Sequence, residues 1–361
     1  MQATEAAALS LRGVFKTTLK IVLTIAAFYV LLTHPVRNAA GESVMALRAI
    51  LDYLPRIDPA TFWRFAALAF VVRATGVACS MLRWSLLLRG QGIYFPAWHI
   101  ITTFMIGRFL GTFLPSTIGL DGYKLYDAAR FSGRTVEVAA ATVIEKGLGI
   151  IGIFLCFLVT LPLGYGILGA RAGLVAAVTV PTALVVIAVF FAVAFRPSII
   201  RAGLDRLPIP RRTGVTVVLE RVNTAAAAYS EQRGVLLATA ALSFFVHFCT
   251  AATYVCTAIA IGALHADFWE VAFGSTIQIF ATVISPFTIA GEGVREIVQA
   301  LMLAHRIGME QSILSAALGF WVAEAPTLSG GIFYLLRDAA YHPHVDVRMP
   351  GGVVQTPVEG R

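Results

Sequence analysis

Six stretches of this chain, 14–32, 61–88, 136–163, 172–195, 235–261 and 313–336, are apolar over about 20 residues, the length a helix needs to cross ~30 Å of hydrocarbon. These runs constrain the fold more than any other feature. Inside a bilayer each backbone polar group must be satisfied by the chain itself, so spans of this kind fold as helices. The rest of the composition agrees, with 58% hydrophobic and only 13% charged residues. The sequence therefore predicts an all-α polytopic membrane protein. The first run also has signal-peptide features: Arg12, Lys16 and Lys20 precede a short core at 21–32, and Ala39 and Ala40 follow. A first span of a polytopic chain looks similar and is the preferred reading.

Two further apolar segments, 97–114 and 271–285, each run into a polar phrase. The first phrase is "PSTIGLDGYK" at 115–124 and the second "PFTIAGEGVR" at 286–295, offset without a gap by 171 residues (286 minus 115). Pro115 matches Pro286, Thr117 matches Thr288, Ile118 matches Ile289 and Gly122 matches Gly293. Asp121 falls on Glu292, Lys124 on Arg295 and Gly119 on Ala290. Chance matches occur between apolar windows, but identities combined with charge-conserving pairs favour an internal repeat.

Proline lacks the amide donor and glycine tolerates backbone angles that other residues avoid, so both phrases should break helices. Pro115, Gly119, Gly122, Pro286, Gly291 and Gly293 are the predicted hinges. Each apolar segment then enters the membrane, breaks and returns. Three full spans separate the two hairpins, and an odd number of crossings inverts the second. The prediction is about six full spans plus two re-entrant helical hairpins in an inverted pseudo-repeat, the arrangement transporters use to build a midplane site. The repeats would lie around 97–163 and 271–336 of a single domain, 1–337. Were both segments complete spans, the repeats would run parallel. Residues 338–361, with Pro, Gly and polar side chains, read as a disordered cytoplasmic tail.

Charge sets the orientation. Between 196 and 233 there are seven arginines against Asp205, Glu220 and Glu231, while 234–294 holds no Lys or Arg. The positive-inside tendency makes the 196–233 loop cytoplasmic and the 263–270 loop external. Counting back puts both termini in the cytoplasm of a multi-pass inner-membrane protein.

Charges inside the membrane carry the expected mechanism, because each costs at least ~2.5–3.5 kcal/mol at the bilayer centre unless it faces a cavity or a partner. Arg73 and Arg83 share one span, Arg108 lies in the first hairpin, and Glu145 and Lys146 follow it. Glu292, Arg295, Glu296 and Glu324 lie in or after the second. The candidate substrate-binding set is Arg83, Arg108, Asp121, Lys124, Glu145, Lys146, Glu292, Arg295 and Glu296. Bland readings stand beside it. Arg64 and Arg83 can snorkel from span ends, and Glu145–Lys146 can form a structural ion pair with Arg108 or Arg130.

No Walker loop, dinucleotide fingerprint, hydrolase triad or zinc spacing is present. The four cysteines, Cys79, Cys156, Cys249 and Cys256, fall in predicted spans at spacings that match no metal or redox motif. His342 and His344 lie in the tail. The sequence therefore predicts no cofactor, no metal, no catalytic residue and no nucleic-acid partner.

The stretches "FLPSTIGLDGYKLYDAARFSG", "VIEKGLG" and "PFTIAGEGVREIVQALMLAHRIGME", with Arg83, Trp84, Leu87 and Leu88, resemble the lysylphosphatidylglycerol synthase transmembrane region, also called the flippase-like domain family. The resemblance covers about 81–337. Leu120 stands where that family often has Gly, Lys124 where it often has Arg, and Ala290 where it often has Gly. Relatives fused to an aminoacyltransferase domain modify a lipid and then move it. For this chain the resemblance implies translocation without synthesis, with a membrane lipid as substrate and a separate lipid-modifying enzyme as a partner. Two other classes remain open on the residues alone. One is a membrane enzyme for glycosyl or phosphoryl transfer to a lipid-linked substrate, with Asp121 and Asp127 as its nearest acid pair. The other is an ion-coupled carrier of a small anionic solute.

Overall fold

The structure, a computed structural model, describes residues 29–37, 43–113, 118–196, 227–265, 267–284, 293–338, 340–348 and 354–355, with positions 18, 22, 25 and 26. Among them, four helices are long and apolar enough to cross a membrane: α2 (Pro59–Gly90), α5 (Thr135–Thr160), α6 (Ala172–Phe195) and α7 (Arg233–Ala260). They coincide with four of the six predicted spans. The predicted first span lies mostly outside the described residues, although 29–33 are helical.

A short hairpin, β1 (Pro35–Arg37) with β2 (Ser43–Met45), and an amphipathic helix, α1 (Ala46–Tyr53), lead to α2. Asp58 caps α2, its carboxylate accepting from the Thr61 amide at 2.8 Å and the Thr61 hydroxyl at 2.7 Å, with Pro59 at the first helical position. These bonds, the hydroxyl's foremost, hold the Asp58 carboxyl below its ordinary range.

After α5 the chain makes a 3₁₀ turn and enters α6, which is apolar on every side and little covered by the rest of the protein. Such a helix belongs against lipid. It touches α5 where Gly147 leaves room for the Phe190 ring.

Helices α2 and α7 cross antiparallel at the centre. Ala69 clusters with Cys256, Arg73 meets Thr250, Gly76 abuts Cys249, Arg83 meets Ser243, and Gly90 faces Gln232. Numbers rise along one helix as they fall along the other. Gly76 permits the closest approach, since a Cβ there would lie 3.0 Å from the Cys249 Cβ.

The flanking elements recur in the same order. Helices α3 (Ala97–Phe113), α4 (Ile118–Ser132) and α5 follow α2. Helices α8 (Phe268–Ile284), α9 (Val294–Ile307) and α10 (Met309–Glu324) follow α7. Helices α3 and α8 stand at the spacing of the two phrases, and the following helices are displaced from it by a few residues. Each set follows one of the two central helices, and each helix with its set is a unit. The two central helices themselves are antiparallel.

Within each unit two helices fold back on one another. Gly107 and Gly111 of α3 lie against Leu120 of α4, and Thr103 meets Asp127. Gly274 of α8 lies against Met302 and Leu303 of α9. A Cβ at Gly107 would sit 3.1 Å from the Leu120 carbonyl oxygen, so glycine there sets how closely the limbs pack.

Two expectations are corrected. The predicted span 313–336 is not one helix: α10 ends at Glu324, a 3₁₀ turn covers Ala325–Leu328, and α11 (Ser329–Leu336) continues. Pro326, which lacks an amide donor, lies at the interruption. The segment after 338 is not wholly disordered either. Strand β4 (Asp346–Arg348) pairs antiparallel with β3 (Ile93–Tyr94) and β5 (Val354–Gln355), and Val345 is buried in the first-half core. Gly92 makes this pairing possible: its φ is +75°, and a side chain there would collide with the Arg348 carbonyl.

Candidate functional site

The membrane-embedded charges gather in three places. The first is a chain of alternating charge in the first unit. Arg83 of α2 donates from Nη2 to Glu145 Oε1 of α5 at 3.2 Å, and from Nη1 to Ser243 of α7 at 3.0 Å. The other Glu145 oxygen accepts from Lys124 Nζ of α4 at 2.6 Å. Lys124 also reaches Asp121 at 3.6 Å, and Asp121 pairs with Lys146. Lys124 is 1% exposed and lies 5.2 Å from the ring centroids of both Trp84 and Phe104, so aromatic faces supplement the carboxylates. Glu145, Lys124 and Arg83 are buried, whereas the Lys146 side chain is half exposed.

The second place is a cavity of about 130 Å³ between α2 and helices α7–α10. Arg73 of α2, Thr250, Thr253 and Tyr254 of α7, Gln278, Ile279 and Thr282 of α8, Arg295 of α9, and Gly319, Ala323 and Glu324 of α10 line it. Arg73 Nη1 donates to Thr250 Oγ1 at 2.7 Å. Arg73 Nε and Gln278 Oε1 are buried without a hydrogen-bond partner among the described residues. Arg295 lies over the Phe320 ring at 4.8 Å. Glu324 is approached by Arg108 at 3.5 Å, and that guanidinium also donates to the Ala323 carbonyl and the Thr327 hydroxyl. The lining thus presents two guanidinium groups against one carboxylate, itself shared with Arg108. Water, a phosphate or a carboxylate suits such a space; an acyl chain does not.

The third place joins the first hairpin to the chain's end. Asp127 of α4 accepts from Thr103 at 2.6 Å, lies 2.9 Å from His99 Nε2 and pairs with Arg337 at 2.9 Å. Arg337 also donates to the Tyr123 hydroxyl and lies 4.7 Å over the Tyr341 ring. His99 is fully buried and stacked on Phe95.

Set against the sequence, Arg83, Asp121, Lys124, Glu145 and Lys146 are brought together. The partners offered for Glu145–Lys146 were Arg108 and Arg130; instead Glu145 takes Arg83 and Lys124, and Lys146 takes Asp121. The reason is that α4, folded back along α3, turns Lys124 toward α5. Arg108 and Arg295 belong to the cavity region. The Glu296 carboxylate accepts from the Gly293 amide at 2.7 Å, so this buried acid caps α9.

Gly293, at φ +81°, precedes that helix. Gly119 and Gly122, predicted as hinges, are instead helical within α4, Gly119 buried near Gly111 and Gly122 exposed. Pro115, Pro286, Gly291 and Glu292 lie outside the described residues, as does 197–226, most of the basic loop.

Asp121 and Asp127, the acid pair an enzyme would need, sit in different clusters. Arg73 and Glu324 were recognised in the sequence as embedded charges but not as lining residues. Tyr254 was missed, although it stands at the repeat offset from Arg83. His99 and Arg337 were also missed, because their meeting depends on contacts across more than 200 positions.

The family model for the lysylphosphatidylglycerol synthase TM region matches residues 18–325. No curated protein matches the chain.

Proposed function

Because the chain belongs to the lysylphosphatidylglycerol synthase transmembrane-region family, we propose that it moves a lipid with an anionic headgroup across the bilayer. The headgroup passes through the cavity at Arg73 and Arg295 while the acyl chains remain in surrounding lipid. The observation that carries this reading is the cavity itself, lined by two arginines and set between α8–α10 and two helices apolar enough to span a membrane, α2 and α7. Charge in hydrocarbon is costly unless it faces a cavity or a partner, and a cavity faced by two guanidinium groups suits an anionic headgroup.

In this reading α3–α4 and α8–α9 are re-entrant hairpins entering from opposite faces. Their antiparallel limbs and the antiparallel central helices support it, and hairpins meeting from two sides are how transporters surround a midplane site. The basic segment 196–233 and both termini face the cytoplasm, and the membrane is the inner one. The lipid leaves chemically unchanged, and a separate enzyme makes any modified headgroup.

The test is reconstitution of the full chain into vesicles containing fluorescent phosphatidylglycerol labelled on its acyl chain. Dithionite should reach the inner-leaflet pool only when the protein is present, with the lipid's mass unaltered. An inner pool that stays protected contradicts the reading. Altered lipid mass favours the transferase, and uptake of a small anion without lipid movement favours the solute carrier.

A further inference from the structure

Helix α1 (Ala46–Tyr53) is short, yet it presents three kinds of surface. At about 100° per residue, Ala46, Ala49 and Ile50 share one side, Leu47 and Leu51 a second, and Arg48 and Asp52 a third. Leu54, whose backbone is still helical, extends the second side. The first side is buried and clusters with Leu31, Ala300 of α9 and Ile313 of α10. The second is open: Leu47, Leu51 and Leu54 are 46%, 56% and 44% exposed. The third is exposed and charged. A helix packed on protein and otherwise in water has one apolar side and one polar side. In α1 a second apolar stripe stands about a third of a turn from each of the others.

Its place in the fold names what the stripe meets. Helix α1 sits where two membrane-crossing helices end. The Tyr53 hydroxyl donates at 2.7 Å to the carbonyl of Ile261, the residue that caps α7, and Asp58 then caps the start of α2. Gly262, at φ +95°, leaves room for this contact, since a Cβ there would lie 2.8 Å from the Tyr53 hydroxyl oxygen. Just inside α2, Trp63 is 71% exposed and packs edge-on with Phe62. Aromatic rings at the end of a span mark the boundary between headgroups and acyl chains. From Trp63 the exposed apolar surface continues along α2 through Leu68, Phe70 and Val71.

We propose that α1 lies along the bilayer surface at the face where α2 begins, its leucine side set into lipid and its Arg48–Asp52 side in water. The leucine stripe is continuous with the lipid-facing surface of α2, so its occupant is lipid. A helix whose lipid and water sides both run its whole length lies along the boundary rather than across it. The buried side rests on α9 and α10, and α1 thereby ties the second hairpin to this surface of the membrane. The placement is independent of what the chain carries.

Spin labels on the full chain in vesicles containing phosphatidylglycerol test it. Leu47→Cys, Arg48→Cys, Leu51→Cys and Asp52→Cys are made singly in a background lacking the four native cysteines. Oxygen concentrates in hydrocarbon, and nickel–ethylenediaminediacetate stays in water. The ratio of relaxation by oxygen to relaxation by nickel should be several-fold higher at 47 and 51 than at 48 and 52. Nickel reaching 47 and 51 as freely as 48 and 52 would show a helix standing clear in water. Neither reagent reaching 47 and 51 would show a face covered by protein, whether the chain's own first apolar run or a second copy. Either result overturns the proposal.

Where the cysteine-free background does not fold, the wild type serves, in vesicles of lipid carrying a diazirine on the acyl chain. After irradiation and trypsin, the 49–56 peptide, which holds Leu51 and Leu54, should carry the lipid adduct, as should the 65–73 peptide of α2. An adduct on 65–73 with none on 49–56 overturns the proposal.

Discussion

Lys124 and Arg295 stand at matching positions of the doubled phrase; Lys124 is held by Glu145 at 2.6 Å, and Arg295 lines a cavity. Lys124 is thus paired within the packing of α2, α4 and α5, whereas the cavity at Arg295 is lined from α2 as well, by Arg73. At the offset of the phrases Arg83 of α2 corresponds to Tyr254 of α7, which lines the cavity.

Removing Glu145 should cost more than the net worth of its ion pairs, because two cations are left buried. Glu145→Ala is expected to destabilise the protein by about 3–5 kcal/mol, and Glu145→Gln, which keeps hydrogen-bonding capacity, by less. Thermal melts in detergent check this. Equal melting of wild type and Glu145→Ala would show that the chain contributes nothing to stability.

The antiparallel crossing of α2 and α7 places their starting ends on opposite faces of the membrane. Single cysteines at Asp58 and Glu231, both exposed, should be labelled by a membrane-impermeant reagent from opposite sides in a background lacking the four native cysteines. Labelling from the same side would remove the inversion.

Arg337 ties the end of α11 to Asp127 and, through Tyr341, to the strand that pairs with Ile93–Tyr94. Arg337→Ala strands a carboxylate that is 3% exposed and releases the ring stacked on its guanidinium. Limited proteolysis should then cleave within 338–348 several-fold faster than in wild type, in the local-opening regime where cleavage follows the open population. Unchanged cleavage would mean the strand pairing alone holds the segment.

How much of this was readable beforehand depended on whether the signal was local. Hydropathy located α2, α5, α6 and α7, because length and apolarity are properties of a continuous stretch. The doubled phrase begins just past the ends of α3 and α8, where its prolines predict that a helix stops. Partners were less legible. The residues alone offered Arg108 or Arg130 as a partner for Glu145–Lys146, but packing gives Glu145 Lys124 and Arg83, 62 positions away. The His99–Asp127–Arg337 cluster left no local trace, since Arg337 at the end of an apolar run reads as a snorkelling cation. The strand at Asp346–Arg348 is three residues long and gains its order from Ile93–Tyr94, so composition alone made it a tail.

The most direct measurement is headgroup translocation by Arg295→Ala and Arg295→Lys in vesicles, alongside folded yield and thermal stability of each. If Arg295 grips an oxyanion, lysine keeps the charge but loses the planar two-pronged donor, so transport should fall in part, while alanine should abolish it. The account predicts a folded, monodisperse Arg295→Ala that moves no lipid. A folded Arg295→Ala that moves lipid at the wild-type rate would contradict it.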